Sequence, residues 1–227
     1  VSSGFYGSYG AYKDYQTPGL SKKDIARFDE EIWGPAGFTP AMSCLEIGCG
    51  TGQFLLYLQR KGLDDLAGVD LDPNLEAVLP SEIKDRVTFG DVRDFLAARP
   101  DQRFDRIVLL DVLEHFPPEE GARLLGGLKT RLCPGGRVLV KVPNAASPWG
   151  LNFQHGDLTH MTAYNALSLR QLAAQAGMRL EKVYDQQRGT RRRKFTDSLV
   201  NGFLKWALVA PPDFFGINLY ALFKAED

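Results

Sequence analysis

The chain has 227 residues, 44% of them hydrophobic and 24% charged, with a formal net charge of −1. That is the composition of an ordinary globular protein of one domain, and near-neutrality argues against a surface devoted to nucleic acid. Cys44, Cys49 and Cys133 are too widely spaced for a disulfide framework or a metal quartet, no apolar run reaches the ~18–20 residues of a membrane span, and no signal peptide opens the chain at Val1, so a cytoplasmic protein is expected.

Residues 1–20 hold Tyr6, Tyr9, Tyr12 and Tyr15 among glycines and serines. Disordered segments are poor in aromatics, so the alternatives are a flexible leader and a cover packed on the domain. Ser21 reads as the N-cap of a helix, KKDIARFDEEIW, with Ile25, Phe28 and Ile32 at helical spacing. From residue 43 strands and helices alternate. SCLEIG is a strand, and QFLLYLQRKG a helix closed by Gly62. DLAGVDLD is a second strand, followed by a short helix from Pro73. RVTFGD is a third strand before the helical VRDFLAA. FDRIVLLD is a fourth, its apolar run Ile107–Leu110 suited to burial on both faces. PEEGARLLGGLKTRL is a helix, and the turn CPGG introduces a fifth strand, GGRVLVKVPN. Further on, SLRQLAAQAG is a helix with Ser168 and Gln171 as its capping box. MRLEKVYDQQ is a strand, residues 195–209 a helix, and GINLYALFKA the last strand. Five strands separated by helices describe a doubly wound, Rossmann-like α/β sheet, whose ligands bind at the carboxyl ends of the strands.

The sharpest local signal is LEIGCGTGQF, residues 45–54. Gly48, Gly50 and Gly52 lie between a strand and a helix, where backbone can approach a ligand. Asp70 closes the next strand ~20 residues later, where a carboxylate can bond ribose hydroxyls. Gln53 stands where a dinucleotide fingerprint wants its third glycine, and Glu46 is an awkward neighbour for a pyrophosphate. An acid there suits a cationic ligand better.

With these residues the chain resembles the class I S-adenosylmethionine-dependent methyltransferases, in their small-molecule branch. The resemblance runs from 43 to 143 through LEIGCGTG, GVDLD, FGDVRDF, FDRIVLLDVLEHF and LCPGGRVLVKVPN, in order. It implies a seven-stranded sheet with the last strand antiparallel. It also implies S-adenosyl-L-methionine as cofactor and S-adenosyl-L-homocysteine as product. Carried over by position, Glu46, Gly48 and Gly50 would shape the methionine pocket, and Asp70 would hold the ribose with Leu71 against the adenine. Asp91 would lie near the adenine amino group with Val92 beside the ring, unless Asp91 is simply a helix N-cap. Asp111 and Val112 would border the sulfonium. Glu114 and His115 read as helix-start packing and capping.

A single domain is expected over 1–227: an N-terminal cover and helix (1–40), the cofactor-binding core (43–143), an acceptor-side insertion (144–167), and C-terminal helices with the last two strands (168–227). No Asn/Asp-Pro-Pro-aromatic motif follows the fourth strand, where the chain reads LLDVLEHF, and this argues against methylation of base amino groups. Asp111 and Asn144 stand where catechol-type enzymes place metal-binding residues, without making a persuasive set. VPNAASPWGLNFQHGDLTH more loosely resembles glycan-pathway methyltransferases, which implies a hydroxyl of a sugar or glycan as acceptor. The alternatives are a non-sugar metabolite, or a cofactor-binding regulatory subunit without catalysis. Within the insertion His155, Asp157 and His160 are the candidate catalytic residues, with His155 as base oriented by Asp157 and His160 as pocket wall. No metal is expected, since His-x-Asp-x-x-His supplies three ligands at an uncommon spacing. The tail joins RGTRRRK to an apolar helix carrying Phe195, Leu199, Phe203, Leu204 and Trp206. An edge helix is the plain reading, with homodimerisation or contact with a membrane surface as the sharper ones.

Overall fold

A computed structural model of the chain describes residues 15–186 and 189–226. The tyrosines at 6, 9 and 12, together with Gln187 and Arg188, lie outside the described residues.

Seven strands form one sheet: β1 (Cys44–Ile47), β2 (Leu66–Asp70), β3 (Val87–Phe89), β4 (Phe104–Leu110), β5 (Leu132–Pro143), β6 (Met178–Asp185) and β7 (Asn218–Ala225). Their order is β3-β2-β1-β4-β5-β7-β6, and β7 alone runs opposite to the other six. The doubly wound sheet with an antiparallel last strand is therefore as expected. β5 begins earlier than expected. Phe104 pairs with Leu132 and Arg106 with Arg137, so the CPGG turn is absorbed within the ladder as an irregularity.

Alternation along the strands feeds two apolar layers. Leu45, Ile107, Leu109, Val138 and Val140 face one side, against α3 (Val92–Ala97), α4 (Pro118–Lys129) and α6 (Ala166–Gln175). Cys44, Val108, Leu139 and Leu222 face the other, against α1 (Lys22–Phe28) and α2 (Gln53–Arg60). Ser21 caps α1 as expected, in a reciprocal box with Asp24. The helix then widens into a π-helical turn, Asp29–Trp33, before a short last turn at Gly34–Ala36. Such turns gather at functional sites, and this one buries Glu31 and Ile32.

The insertion contains a helix that the sequence reading did not anticipate, α5 (Pro148–Gly156). Gly150, Asn152 and Gly156 are poor helix formers, so its local signal is weak. It is held by its ends. Buried Ser147 donates its hydroxyl to Phe215 O at 2.9 Å. Buried Asn144 donates its amide to Phe214 O and Gly216 O, both at 3.0 Å, and accepts from Ala146 N at 3.1 Å. Asn144 thus anchors the insertion. The start of α6 is also corrected: Asn165 is the cap and Ser168 its partner in the box, displacing Ser168 and Gln171 by three positions.

The final helix, α7 (Arg191–Ala207), buries no residue, so the expected apolar side is open to solvent. Phe195, Leu199, Phe203 and Trp206 are between 59% and 81% exposed. Lys194 reaches Glu30 as an ion pair. Replacing Phe203 or Trp206 by serine should shift folding stability by no more than ~0.5 kcal/mol, because neither belongs to a buried layer. Urea unfolding would check this, and a loss several times larger would show that the face is covered.

Candidate active site

The carboxyl ends of β1, β4 and β5 open into a cavity of about 340 Å³, walled by Glu46, Gly48–Thr51, Asp111 and Lys141 and, opposite, by Arg27, Glu31 and Tyr220. A hollow of similar size, about 330 Å³, lies between Gly34–Gly37 and Arg137, Glu181 and Lys182. It is lined by helix-end and strand-side residues, away from the glycine loop.

The loop is built from left-handed backbone: Gly48 has φ 69°, Gly50 φ 53° and Gly52 φ 77°. At Gly48 a side chain is excluded twice, since an added Cβ would sit 2.4 Å from Val112 Cγ2. Gly50 N donates to Asp70 Oδ2 at 2.8 Å, and Asp72 N to Asp70 Oδ1 at 3.0 Å. The carboxylate therefore fastens the glycine loop to the end of β2, and burial pushes its pKa up. Leu71, beside it, is 68% exposed and available to cover a ring. Asp91 accepts from Arg93 N at 2.7 Å and caps α3. Val92 packs into the apolar layer.

Glu46 is 3% exposed, and its Oε2 has no hydrogen-bond partner. Burial first, and then Asp70, hold its pKa well above the usual carboxylate range. A buried acid with an unused oxygen fits the positively charged methionine end of S-adenosylmethionine. In the ligand-free chain the sign is fixed. Because the folded pKa is raised, the stabilising contribution is full below the unfolded pKa and is lost as pH rises through the folded one. Glu46→Gln should therefore melt above the wild type at pH 8, with the gap closing toward pH 5. Each ~1 kcal/mol reads as roughly 2–4 °C in a chain of this size. A gap that does not change with pH would contradict this.

The sequence reading missed the far wall. Glu31 accepts Tyr220 OH at 2.6 Å and Gln186 Nε2 at 2.8 and 3.0 Å, while Asn218 Nδ2 holds Gln186 Oε1 at 2.9 Å. Tyr184 donates to Glu31 O at 2.7 Å. The partners come from α1's π-helical turn, β6 and β7, more than 150 residues apart, and no local pattern links them. Asp111, at the end of β4, has φ 58°, a conformation sparsely used by non-glycine residues. Lys141 Nζ holds its Oδ2 at 2.5 Å.

The three candidate catalytic residues do not stay together. His155 is exposed on the last turn of α5. Asp157 and His160 join Glu114 and His115 in the short turn after β4, Leu113–His115. The two segments are zipped: Met161 N and Thr162 N donate to Glu114 O at 2.8 and 3.1 Å, and Thr162 Oγ1 to Phe116 O at 2.6 Å. Thr159 Oγ1 donates to Asp157 Oδ1 at 2.6 Å and lies 3.0 Å from His115 Nδ1. With the hydroxyl proton given to Asp157, Nδ1 of His115 is the donor to Thr159. His160 Nδ1 lies 2.9 Å from Gln154 O, a carbonyl that can only accept, so His160 also carries its proton on Nδ1. The imidazoles meet edge to face at 4.7 Å. Burial first, and then His160, lower the pKa of His115 and favour its neutral form. Glu114, wholly buried, is pushed well above its usual range by burial and then by Asp111. Asp111, which lines the cavity, precedes Glu114 by three residues in the turn after β4 and contributes to holding its carboxyl up.

Residues 21–183 match the family described as Methyltransferase domain. Among curated proteins, the S-adenosyl-L-methionine-dependent Diels-Alderase iccD of Talaromyces variabilis is 33% identical over 58% of this chain and 49% of its own length. A ribosomal protein L11 methyltransferase of Burkholderia vietnamiensis is 32% identical over 48% of this chain and 34% of its own. The chain thus spans between a third and a half of these relatives. A solved SAM-dependent methyltransferase from Archaeoglobus fulgidus superposes with a TM-score of 0.67 at 20% identity, covering 97% of this chain and 99% of that one, which is a likeness of fold.

Proposed function

The chain belongs to the methyltransferase-domain family, and from that premise we propose that it moves the methyl group of S-adenosylmethionine to a hydroxyl of a sugar or glycan. When bound, the sulfonium supplies an electrophilic methyl: the acceptor oxygen bonds to that carbon as the carbon–sulfur bond breaks, and the electron pair leaves with sulfur as S-adenosylhomocysteine. The chain's own residues bind and position. Asp70 and the glycine loop fix one end of the cavity, Glu46 offers the cationic end its unused oxygen, and Asp111 and Lys141 border the place where the methyl is presented. In-line alignment of this kind is worth up to roughly 7–11 kcal/mol.

The single observation behind a hydroxyl acceptor is the polar cluster at the turn that follows Asp111 of the cavity wall. A hydroxyl must lose its proton as it attacks, whereas a neutral amine need not lose one first. Glu114, His115 and His160, with Thr159 and Asp157 behind them, are the groups that can ease that loss. Trp149 and Phe153, 55% and 45% exposed and four residues apart on α5, add an aromatic face suited to the apolar side of a sugar ring. This reading moves the proton-handling role from His155, which is exposed, to the cluster containing His160.

The test is a screen of nucleotide sugars and oligosaccharides against phenolic and amine metabolites, read as S-adenosylhomocysteine formed. With the best acceptor, His160→Ala should lose at least ~100-fold in kcat, in the range of lost acid–base assistance, and His155→Ala clearly less. Turnover with amines alone would point to a non-sugar metabolite. Cofactor binding without turnover on any acceptor would point to a regulatory subunit.

A further inference from the structure

Glu114 presents an unresolved account. It is fully buried, and both of its carboxylate oxygens lack a hydrogen-bond partner. Among the described residues the cation candidate within 4.0 Å is His160, with Nε2 3.9 Å from Oε1, too far for a hydrogen bond. Leaving a buried carboxylate uncompensated costs several kcal/mol, and protonating it only replaces an unpaired acceptor with an unpaired donor.

The same oxygen belongs to a second pattern. One ligand atom each from Glu114, His115 and His160 lies within 4.8 Å of the other two. Two bonds of ~2.1 Å to a common ion can span at most ~4.2 Å, so the 3.9 Å between His160 Nε2 and Glu114 Oε1 already fits. The tautomer of His160 fits as well. Its Nδ1–H donates to Gln154 O at 2.9 Å, and the facing His115 has its Nδ1 3.0 Å from Thr159 Oγ1. Ligating histidines regularly give their other N–H to a carbonyl in this way, which leaves His160 Nε2 to bind.

We propose that Glu114, His115 and His160 together hold one divalent transition-metal ion of the Mn²⁺-to-Zn²⁺ class on the acceptor side of the cavity. Two imidazoles select against Mg²⁺ and Ca²⁺, which take oxygen ligands. Three protein ligands leave coordination positions open, as in catalytic rather than closed structural sites. On the hydroxyl-transfer reading above, on which this consequence rests, an acceptor oxygen fills an open position. The ion lowers the pKa of that hydroxyl, and its proton goes to solvent as the oxygen attacks. An acceptor with two neighbouring hydroxyls could occupy two positions at once, which is the chemistry of a sugar diol.

The test needs no acceptor. Chelator-stripped chain is titrated with Co²⁺ alone, followed by visible absorption and calorimetry, and then with Zn²⁺ in competition. One Co²⁺ per wild-type chain is expected, displaced by Zn²⁺. Glu114→Gln and His160→Gln should each weaken binding at least tenfold while keeping the wild-type circular dichroism. Wild-type chain that takes up neither ion overturns the site whether or not the variants fold, as does binding undiminished in both variants. Methyl transfer that persists in stripped chain, with no metal uptake, overturns the site but leaves the hydroxyl reading standing. A bound ion without transfer to any hydroxyl does the reverse.

Discussion

Asp70→Ala should reduce the affinity for S-adenosylmethionine by a factor of at least ~100. The carboxylate receives Gly50 N at 2.8 Å and Asp72 N at 3.0 Å, and hydrogen bonds to a charged group are worth ~1.5–3 kcal/mol each. Losing both releases the left-handed glycine backbone from the end of β2, and on the proposed reading the oxygens that would receive the ribose hydroxyls go with it. Two ribose hydroxyls bonded to the carboxylate on that reading would contribute ~3–6 kcal/mol of binding, and every 1.4 kcal/mol is tenfold, so 100-fold is the conservative end. Calorimetric titration with S-adenosylhomocysteine would read it. Asp70→Asn separates the two contributions: it keeps the shape and one acceptor oxygen, and should lose less than alanine. Equal affinity in all three proteins would remove Asp70 from the site.

The second large effect concerns the acceptor side. Gly150→Ala should destabilise the chain by ~2 kcal/mol or more, about 4–8 °C in Tm. An alanine Cβ would lie 2.1 Å from Asn144 O and 2.7 Å from Ile217 O, both backbone atoms at the junction of β5 and β7. Overpacking of a well-packed core costs ~1–3 kcal/mol, and main-chain oxygens fixed in a sheet cannot turn aside as side chains do. To relieve the clash, α5 must lift, carrying Gln154, whose carbonyl orients His160, and the segment that zips onto Glu114. The variant should therefore lose turnover with the true acceptor in greater proportion than it loses cofactor binding. Thermal melts and parallel titrations of cofactor and acceptor would show that split. A variant as stable as the wild type would mean that α5 is not seated as tightly as this contact requires.

The sheet was legible because it is written locally. Ile107–Leu109, buried on both faces, and the glycines after Ile47 announce a parallel strand and a strand-to-helix loop through neighbours in the chain. Helix α5 was not legible, because Gly150 and Gly156 are poor helix formers and the contacts that hold it, Ser147 to Phe215 and Asn144 to Phe214 and Gly216, reach about 70 residues ahead. The shift of the α6 cap to Asn165 had a visible signal: an Asn-x-x-Ser box fits that start as well as Ser168 with Gln171 fits the later one.

The candidate site divides in the same way. Glu46, Gly48, Gly50 and Asp111 follow the strand ends, so fixing the strands fixes them, and sequence alone determined that they would meet around one cavity. The partners of His160 could not be read from its own neighbourhood. His155 is five residues away and exposed, while Glu114 and His115, 45 or more residues back, share its cluster. Spacing along a chain dictates which side chains share a helix face or a strand face. Which loop lies against which is decided only when the sheet closes and two segments pair their backbones.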